Sequence, residues 1–189
     1  MENKTDYDVL LAILKKRLNE KRYYHSLCVA EEAKRLAVKY GADPEKAYLA
    51  GLLHDITKNA PDEEHLKIFK DFGIILSDVE KNAKKLWHAM SGAAYAEYIL
   101  GINDPEIIDA IRYHTTAKAD MSLLAKILYL ADFTSADRDY EDVDVIREYV
   151  DISLEKAFIY ALQYSIKDLV DLKKAVHIDT VAAYNQAVL

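Results

Sequence analysis

The stretch Leu52-Leu53-His54-Asp55-Ile56-Thr57-Lys58 joins an apolar helical segment to a group of polar side chains. A His-Asp pair follows two leucines, and a lysine comes three residues after the aspartate. A single histidine or aspartate at such a place usually bonds to a nearby backbone group, and that explanation would suffice for either residue alone. The pair becomes informative only if other segments of the chain bring partners to it.

Helical periodicity runs through nearly the whole chain. Its 189 residues are 51% hydrophobic, which is enough for one domain with a substantial core. Five glycines and three prolines are too few for a turn-rich all-β fold. The sequence therefore predicts an all-α helical bundle that forms a single domain over residues 1–189, with a motif-bearing core at about 20–140 and C-terminal helices at about 143–189.

Start and stop signals predict where the helices lie. Asp43-Pro44 and Asp104-Pro105 are typical of an N-cap followed by proline at the first helical position, and Gly41 is typical of a C-terminal cap. The pattern predicts one long helix from about Val143 to Lys174, with an interruption near Asp151. The other predicted helices cover about residues 8–18, 20–40, 44–56, 62–72 (on the surface), 77–84, 88–100, 105–114 and 122–132, and a last one follows 177.

The charge and the cysteine content exclude several classes of partner. A net charge of −7 repels nucleic acid as a whole, yet leaves room for a locally positive pocket that binds a small phosphate ligand. The one cysteine, Cys28, cannot form an intrachain disulfide, and the polar start from Met1 to Asp6 does not resemble a secretion signal. No apolar run is long enough to span a bilayer. We therefore expect a cytoplasmic protein with neither a nucleic-acid nor a membrane partner.

Histidines and aspartates continue the apolar stripes of five predicted helices. His25 lies four residues before Val29, and Asp132 lies four residues after Leu128, so each shares a helix face with buried side chains. The full set is His25, His54-Asp55, His88, His114 and Asp132. A buried imidazole or carboxylate is costly unless it is paired, and one shared divalent cation would satisfy them together. Without a thiolate in the set, iron, manganese, zinc or cobalt fits these ligand types.

The order of these residues resembles the HD-domain metal-dependent phosphohydrolase superfamily, whose signature is a histidine, a His-Asp pair and a later aspartate, all on helices. The flanking residues are similar to the YqeK-type subgroup, whose members are assigned as symmetrical diadenosine-tetraphosphate hydrolases. The likeness covers about residues 22–138 in ordered blocks. These blocks are Arg22-Tyr23-Tyr24-His25-Ser26, Leu53-His54-Asp55-Ile56-Thr57-Lys58, Trp87-His88, Tyr113-His114-Thr115-Thr116 and Tyr129-Leu130-Ala131-Asp132.

The resemblance implies a single HD-domain fold and a metal-dependent hydrolase. The substrate would be diadenosine tetraphosphate, cut into two ADP molecules when metal-bound water attacks a phosphoanhydride. The nucleotide partner would be this dinucleoside polyphosphate or an ADP- or GDP-like product, and a homodimer is also implied. The implied cofactor is iron, mononuclear or dinuclear, with manganese, cobalt or zinc as alternatives. The implied metal ligands are His25, His54, Asp55 and Asp132; His88 and His114 would hold a second metal or contact phosphate, and Asp55, His88 and His114 would be catalytic.

Three cations lie close in sequence to the expected ligands. Lys58, for example, follows Asp55 by about one helical turn. Each cation can bind phosphate, although a solvated surface charge explains each one as well. The family usually carries a glutamate–proline–arginine-like stretch after the last aspartate, and here Thr134-Ser135-Ala136-Asp137-Arg138 keeps the arginine with a different lead-in. The expected substrate contacts are Arg22, Lys58, His88, His114, Thr115, Thr116 and Arg138.

Three other interpretations remain open at the level of sequence. The chain could be a different HD nucleotide phosphohydrolase, such as a deoxynucleoside mono- or triphosphatase, or a non-catalytic nucleotide-binding sensor on the same scaffold. It could also be a helical structural protein whose histidines belong to the core. Most of the fourteen tyrosines fall at helical spacing typical of the rim of a core, so the sequence assigns none of them to a nucleobase.

Overall fold

Eleven α-helices and no β-strand make up the part of the chain that the structure describes, residues 6–189 of a computed structural model. This confirms the predicted all-α fold class. The rest of the polar start, Met1 to Thr5, lies outside the described residues. No helix within residues 6–189 is long and apolar enough to cross a membrane. The helices are α1 (Tyr7–Arg17), α2 (Glu20–Tyr40), α3 (Pro44–Leu53), α4 (Asp62–Asp71), α5 (Asp78–Asn82), α6 (Trp87–Ala94), α7 (Pro105–Tyr113), α8 (Leu123–Thr134), α9 (Val143–Ile152), α10 (Leu154–Asp171) and α11 (Ile178–Val188).

Capping residues explain why several helices begin and end where the sequence predicts. The Asp43 carboxylate accepts hydrogen bonds from the N–H groups of Glu45 and Lys46 at the start of α3. Asp104 caps α7 in the same way, by accepting from the Glu106 N–H. Gly41 ends α2 with a left-handed backbone (φ 80°), which glycine adopts without steric cost.

Two predicted helices are shorter in the structure. The region predicted as one helix from Val143 to Lys174 with an interruption near Asp151 is divided two residues later, at Ser153, and ends at Asp171; the extended Ser153 backbone (φ −160°) ends α9 and its side chain caps α10. The helix predicted to reach Ile56 ends at Leu53, and residues 54–59 form successive turns. Tight bonds of the i to i+3 type, such as Lys58 N–H to Asp55 C=O at 2.8 Å, replace the α-helical pattern there.

A small apolar cluster buries one face of the helix after Pro61, while its other face is exposed, as predicted for a surface helix. Phe69 of α4 is buried with Trp87 and Met90 of α6, and His65 is buried on the same helix. Helix α6 itself begins at Trp87 and continues as a π-helical turn over Tyr95–Ile99 instead of an α-helix to Leu100. α4 therefore packs on α6, the helix that carries His88.

The main core joins helices from both ends of the described chain. One cluster of buried apolar side chains extends from Leu10 in α1 to Ala183 in α11. Val29, Leu52, Ile111 and Leu128 are completely buried in it and come from α2, α3, α7 and α8 respectively. This shared core is compatible with the predicted single domain over 1–189, which stays a prediction.

Gly51 sets the distance between α2 and α3. A Cβ at this position would lie 2.6 Å from Ala30 Cα and 2.9 Å from Ala30 N, which are backbone atoms that move only if the helices separate. We expect Gly51→Ala to lower the free energy of unfolding by about 1–3 kcal/mol, as overpacking does in a close-packed core. Chemical denaturation measures the difference.

The matched control for this substitution is Gly92→Ala in α6. A Cβ at Gly92 would lie 3.5 Å from the His54 carbonyl oxygen and 3.5 Å from Thr57 Oγ1, which is ordinary van der Waals contact. Because alanine favours a helix over glycine, this variant should be as stable as the original chain. Equal stability of Gly51→Ala and the original chain would contradict the close contact of α2 with α3.

Candidate metal centre

Six imidazole and carboxylate side chains converge where the ends of several helices meet. His54 and His114 are the residues that follow the last turns of α3 and α7, and Asp132 lies in the last turn of α8. Helix C-termini carry a partial negative charge that favours a bound cation. The side-chain ligand atoms form three groups with all distances inside 4.8 Å: His25, His54 and Asp55; His54, His114 and Asp132; Asp55, His88 and His114.

His54 is oriented as a metal ligand. Its Nδ1 lies 2.7 Å from the Gly51 carbonyl oxygen, which can only accept, so Nδ1 carries the proton and Nε2 keeps its lone pair. This Nε2 is completely buried and has no hydrogen-bond partner, although Asp55 Oδ2 and Asp132 Oδ1 lie 3.6 and 3.9 Å away. An imidazole lone pair without a partner, facing two carboxylates, fits a divalent cation with nitrogen and oxygen ligands.

His114 repeats this arrangement at the end of α7. Its Nδ1 lies 2.7 Å from the Ile111 carbonyl oxygen, so its Nε2 also faces the cluster without a proton. That Nε2 is 3.1 Å from His88 Nε2 and 3.7 Å from Asp55 Oδ1. A backbone carbonyl that fixes the tautomer of a histidine is a common support of metal ligands.

Burial sets the protonation states in the cluster. Burial lowers the pKa of His54 to about 3 and that of His88 to about 4, so both imidazoles are neutral at neutral pH and able to bind a cation. Burial alone would raise the pKa of Asp55, but the surrounding imidazoles of His54, His114 and His88 and the Lys58 ammonium together hold it well below its usual value. Asp132 is held low in the same way, against its burial, by His25 and then Arg138. Both carboxylates are therefore anionic, the state that can bind a cation.

The three predicted phosphate-binding cations all reach this cluster. Arg22 Nη1 lies 3.1 Å from Asp55 Oδ2, and Lys58 Nζ lies 3.5 Å from Asp55 Oδ1. Arg138 pairs with Asp132 through its Nη2 and donates from Nε to the Asp132 carbonyl oxygen at 2.7 Å. The side chains of Arg22 and Arg138 are each 32% exposed and that of Lys58 is 27% exposed, so each can turn toward a ligand.

Asp137 is a supporting residue that the sequence interpretation missed. His25 Nε2 faces Asp132 Oδ1 at 2.9 Å, and its other nitrogen, Nδ1, faces Asp137 Oδ2 at 2.8 Å. Ser135 Oγ donates to the second Asp137 oxygen at 2.8 Å and fixes the carboxylate. A carboxylate behind a histidine ligand orients the ring and raises its basicity. A carboxylate partner for a histidine ligand is a common feature, but the spacing of residues in this loop does not indicate which acidic residue reaches His25.

Substituting Asp137 tests this support. Asp137→Asn keeps the size of the side chain but removes its charge, so we expect the affinity for a divalent cation to fall by about 10- to 100-fold. Competition with a chromophoric chelator measures the affinity for Mn²⁺. The matched control is Asp71→Asn, an exposed aspartate at the end of α4 that pairs with Lys67 away from the cluster. Identical affinities in the two variants would contradict the role of Asp137.

Arg147 of α9 fixes the loop that carries Asp137 and Arg138. Its Nε donates to the Thr134 carbonyl oxygen at 3.2 Å, and its Nη2 donates to the carbonyl oxygens of Ser135 and Arg138 at 2.9 and 3.0 Å. A guanidinium can hold three acceptors at once because its donors form a rigid planar fork. The loop path that the sequence left open is thus determined by a residue of the next helix.

Thr115 and Thr116 lie beside His114, with different surroundings. The hydroxyl oxygens of both are buried without a hydrogen-bond partner. Thr116 is buried as a whole, and its carbonyl oxygen accepts from Thr180 Oγ1 of α11 at 2.7 Å. The structure thus joins Thr116 to the C-terminal helix, and the predicted contact of both threonines with phosphate stays a prediction.

Two hollows differ in their suitability for a phosphate ligand. One of about 190 Å³ opens onto the cluster and is lined by Lys21, Arg22, His25, Asp137, Arg138, Asp139 and Tyr140. A larger one of about 520 Å³ lies beside Tyr24 and Cys28 and includes Glu31 and Glu32, but none of the six cluster residues. Its acidic lining is unfavourable for a polyphosphate, so the smaller, cationic hollow is the entrance to consider.

Histidines and aspartates at facing helix ends of an all-α bundle are the architecture of the HD-type metal-dependent phosphohydrolases. The HD domain family matches residues 22–137, so the chain belongs to this family, as the sequence predicts.

Two relatives and one solved structure are similar over almost the whole chain. The symmetrical bis(5'-nucleosyl)-tetraphosphatase of Bacillus subtilis (strain 168) is 35% identical and covers 93% of this chain and 94% of its own. The enzyme of the same name from Halalkalibacterium halodurans is 36% identical and covers 95% of each chain. The crystal structure of a predicted HD superfamily hydrolase involved in NAD metabolism, from Clostridium acetobutylicum, is 38% identical, superposes with a TM-score of 0.94 and covers 97% of both chains.

Proposed function

We propose that this chain hydrolyses diadenosine tetraphosphate symmetrically into two ADP molecules. The observation that carries the proposal is the surroundings of the Asp55 carboxylate. One side of this buried group faces the imidazoles of the cluster, and Arg22 and Lys58 contact the same two oxygens. A cation site and a phosphate-binding surface thus share one residue. Two relatives named symmetrical bis(5'-nucleosyl)-tetraphosphatases, similar over more than nine-tenths of the chain, support this choice of substrate.

The residues that would hold the metal are His25, His54, Asp55 and Asp132. Two imidazoles and two carboxylates suit iron, manganese, cobalt or zinc, and we propose iron. When bound, a divalent cation supplies Lewis-acid stabilisation of phosphoryl oxygens and activates water for attack. His88 and His114, whose Nε2 atoms lie 3.1 Å apart, would hold a second cation or contact the phosphate chain.

The cations of the chain itself would bind the phosphates. A tetraphosphate carries several negative charges, and the protein as a whole has a net charge of −7, so attraction has to be local. The planar guanidinium groups of Arg22 and Arg138 can bind phosphate oxygens in pairs, and the Lys58 ammonium adds a compact charge between them and His88. These groups stabilise the charge that spreads over the equatorial oxygens during phosphoryl transfer.

His88 would exchange a proton with the reacting phosphate. Its Nε2 lies 3.1 Å from an acceptor, Asp55 Oδ1, and 3.0 Å from a donor, Lys58 Nζ. A neutral imidazole between a donor and an acceptor can take up either role at this atom. Thr57 Oγ1 donates to the His88 carbonyl oxygen at 2.9 Å and ties the start of α6 to the His-Asp turn. Asp55 would also orient the attacking water.

A substrate panel tests the proposal against the other activities of the superfamily. Purified protein supplied with Fe²⁺, Mn²⁺, Co²⁺ or Zn²⁺ is incubated with diadenosine tetraphosphate, dGTP and deoxynucleoside monophosphates. We expect the highest kcat/KM for diadenosine tetraphosphate. Faster release of nucleoside from a monophosphate, or of triphosphate from dGTP, would contradict the proposed substrate and favour the corresponding rival. Tight nucleotide binding without turnover with any of the metals would favour the sensor.

The location and the assembly of the protein are part of the same proposal. A nucleotide substrate and a single cysteine, Cys28, suit the predicted cytoplasmic location, where thiols stay reduced. The homodimer implied by the family resemblance stays a prediction, which sedimentation of the purified protein measures directly.

A further inference from the structure

A second cavity adjoins the cluster and shares Arg138 and Tyr140 with the hollow that Arg22 lines. It has a volume of about 210 Å³ and is lined by Asp132, Phe133, Arg138, Tyr140 and Tyr164. Asp132 and Arg138 belong to the candidate metal centre, so the cavity is continuous with it. The other three residues are aromatic and come from α8, the following loop and α10. We call these three rings and the space they border the aromatic cavity.

The rings of the aromatic cavity are held in place from behind. Phe133 packs on the completely buried Tyr129, with ring centroids 5.2 Å apart. Tyr140 donates from its hydroxyl to the Phe133 carbonyl oxygen at 3.0 Å. Tyr164 lies 5.5 Å from Tyr140 and 6.4 Å from Phe133, centroid to centroid, within the range in which aromatic rings attract each other.

These rings are nevertheless only half-buried. Tyr129, one turn earlier on α8, shows that a tyrosine in this bundle can be completely enclosed. The three aromatic side chains therefore form a partly apolar wall that is accessible to a ligand. This wall lies beside the charged side chains of Asp132 and Arg138. Such a wall favours a flat ligand with a π-face, which gains stacking energy on tyrosine and cation–π energy on arginine.

We propose that the aromatic cavity binds one nucleobase of the dinucleotide, and this inference rests on the proposed function. The volume is below the roughly 300–1,000 Å³ of sites that enclose drug-sized ligands, and suits one heteroaromatic ring system with its sugar outside. A base in the cavity places its phosphates over Arg138 and Asp132, toward Arg22 and Lys58. The order of the residues therefore matches the order of a nucleotide, with the base at Tyr164 and the phosphates at the cations.

Binding of ADP and of inorganic pyrophosphate to the manganese-loaded protein separates base recognition from phosphate recognition. We expect Tyr164→Ala to weaken ADP binding roughly 5- to 150-fold, the range of one lost base–aromatic stack, and to affect pyrophosphate far less. Tyr164→Phe keeps the ring and should restore most of the ADP affinity. The matched control is Tyr98→Ala, which removes an exposed tyrosine stacked on Phe72 elsewhere on the surface and should leave both affinities unchanged.

Equal affinity of Tyr164→Ala and the original chain for ADP, or an equal loss for ADP and pyrophosphate, would overturn the assignment. If Tyr164→Ala does not fold, as circular dichroism would reveal, Tyr140→Leu provides the same comparison from the facing wall. Selective loss of ADP binding in a protein that leaves diadenosine tetraphosphate intact would support the cavity and contradict the proposed function. If the protein forms two ADP but neither Tyr164→Ala nor Tyr140→Leu changes its affinity for ADP, base binding in the aromatic cavity is excluded and the proposed function stands.

Discussion

Replacing Asp55 by alanine is expected to reduce the hydrolysis of diadenosine tetraphosphate by roughly a thousandfold or more, the size of loss seen when one member of a catalytic unit is removed. The carboxylate is almost completely buried and faces His54, His88, Arg22 and Lys58. Its removal takes away a ligand of the expected cation and leaves two positive charges without their partner. Initial rates of ADP formation at saturating Mn²⁺ measure the effect.

Two further variants separate chemistry from folding. Asp55→Asn keeps the shape of the side chain and should lose activity as well, because an amide is a poor metal ligand. The matched control is Asp109→Ala, since Asp109 also accepts from a lysine, Lys118 at 2.6 Å, but lies outside the cluster. This control should keep the full rate. Turnover at the original rate in Asp55→Ala would exclude the mechanism.

Removal of the metal should have a similarly large effect on the rate of hydrolysis and should also lower Tm. Chelation is expected to bring hydrolysis to the background rate, and one of Fe²⁺, Mn²⁺, Co²⁺ or Zn²⁺ should restore it. Because the cation binds the folded chain, an excess of about 100 times Kd adds about 2.7 kcal/mol to the free energy of unfolding. For a domain of this size that raises Tm by roughly 5–10 °C, which differential scanning calorimetry detects.

A pair of histidine variants shows whether that rise comes from the proposed centre. His54→Gln removes the unpartnered Nε2 and should abolish the metal-dependent rise of Tm. His65→Gln removes another buried histidine, whose Nδ1 lies 2.7 Å from Ser91 Oγ outside the cluster, and should keep the rise even if the protein becomes less stable. Full activity of the chelated protein would exclude a required metal. The same rise of Tm in His54→Gln would show that the metal binds elsewhere.

The sequence was most informative where a helix fixes the direction of a side chain. His25 and Asp132 were placed by stepping four residues from buried Val29 and Leu128, and the two side chains lie 2.9 Å apart across α2 and α8. The period of the α-helix is constant, so this step is reliable once a buried stripe is known. Aspartate–proline starts and Gly41 predicted helix ends for a similar reason, because capping is a local property.

The path of a loop and the contacts between distant segments could not be predicted from helix periodicity or capping. Asp137 supports His25 only because Ser135 and Arg147 shape the loop, and Arg147 belongs to a later helix. The interruption predicted near Asp151 lies two residues from the break at Ser153, whose exact place depends on how α9 and α10 each pack on α8. Tyr164 reaches the aromatic cavity through the same packing, so no local pattern distinguishes it from the other tyrosines.

The products of one turnover test the central claim most directly. Diadenosine tetraphosphate is incubated with the metal-loaded protein, and the nucleotides are separated by ion-exchange chromatography at low conversion. The proposed chemistry breaks the central phosphoanhydride and predicts two ADP for each substrate consumed, with no AMP or ATP. Formation of ATP with AMP in equal amounts would contradict symmetrical cleavage, and an unchanged substrate with every metal would contradict hydrolysis altogether.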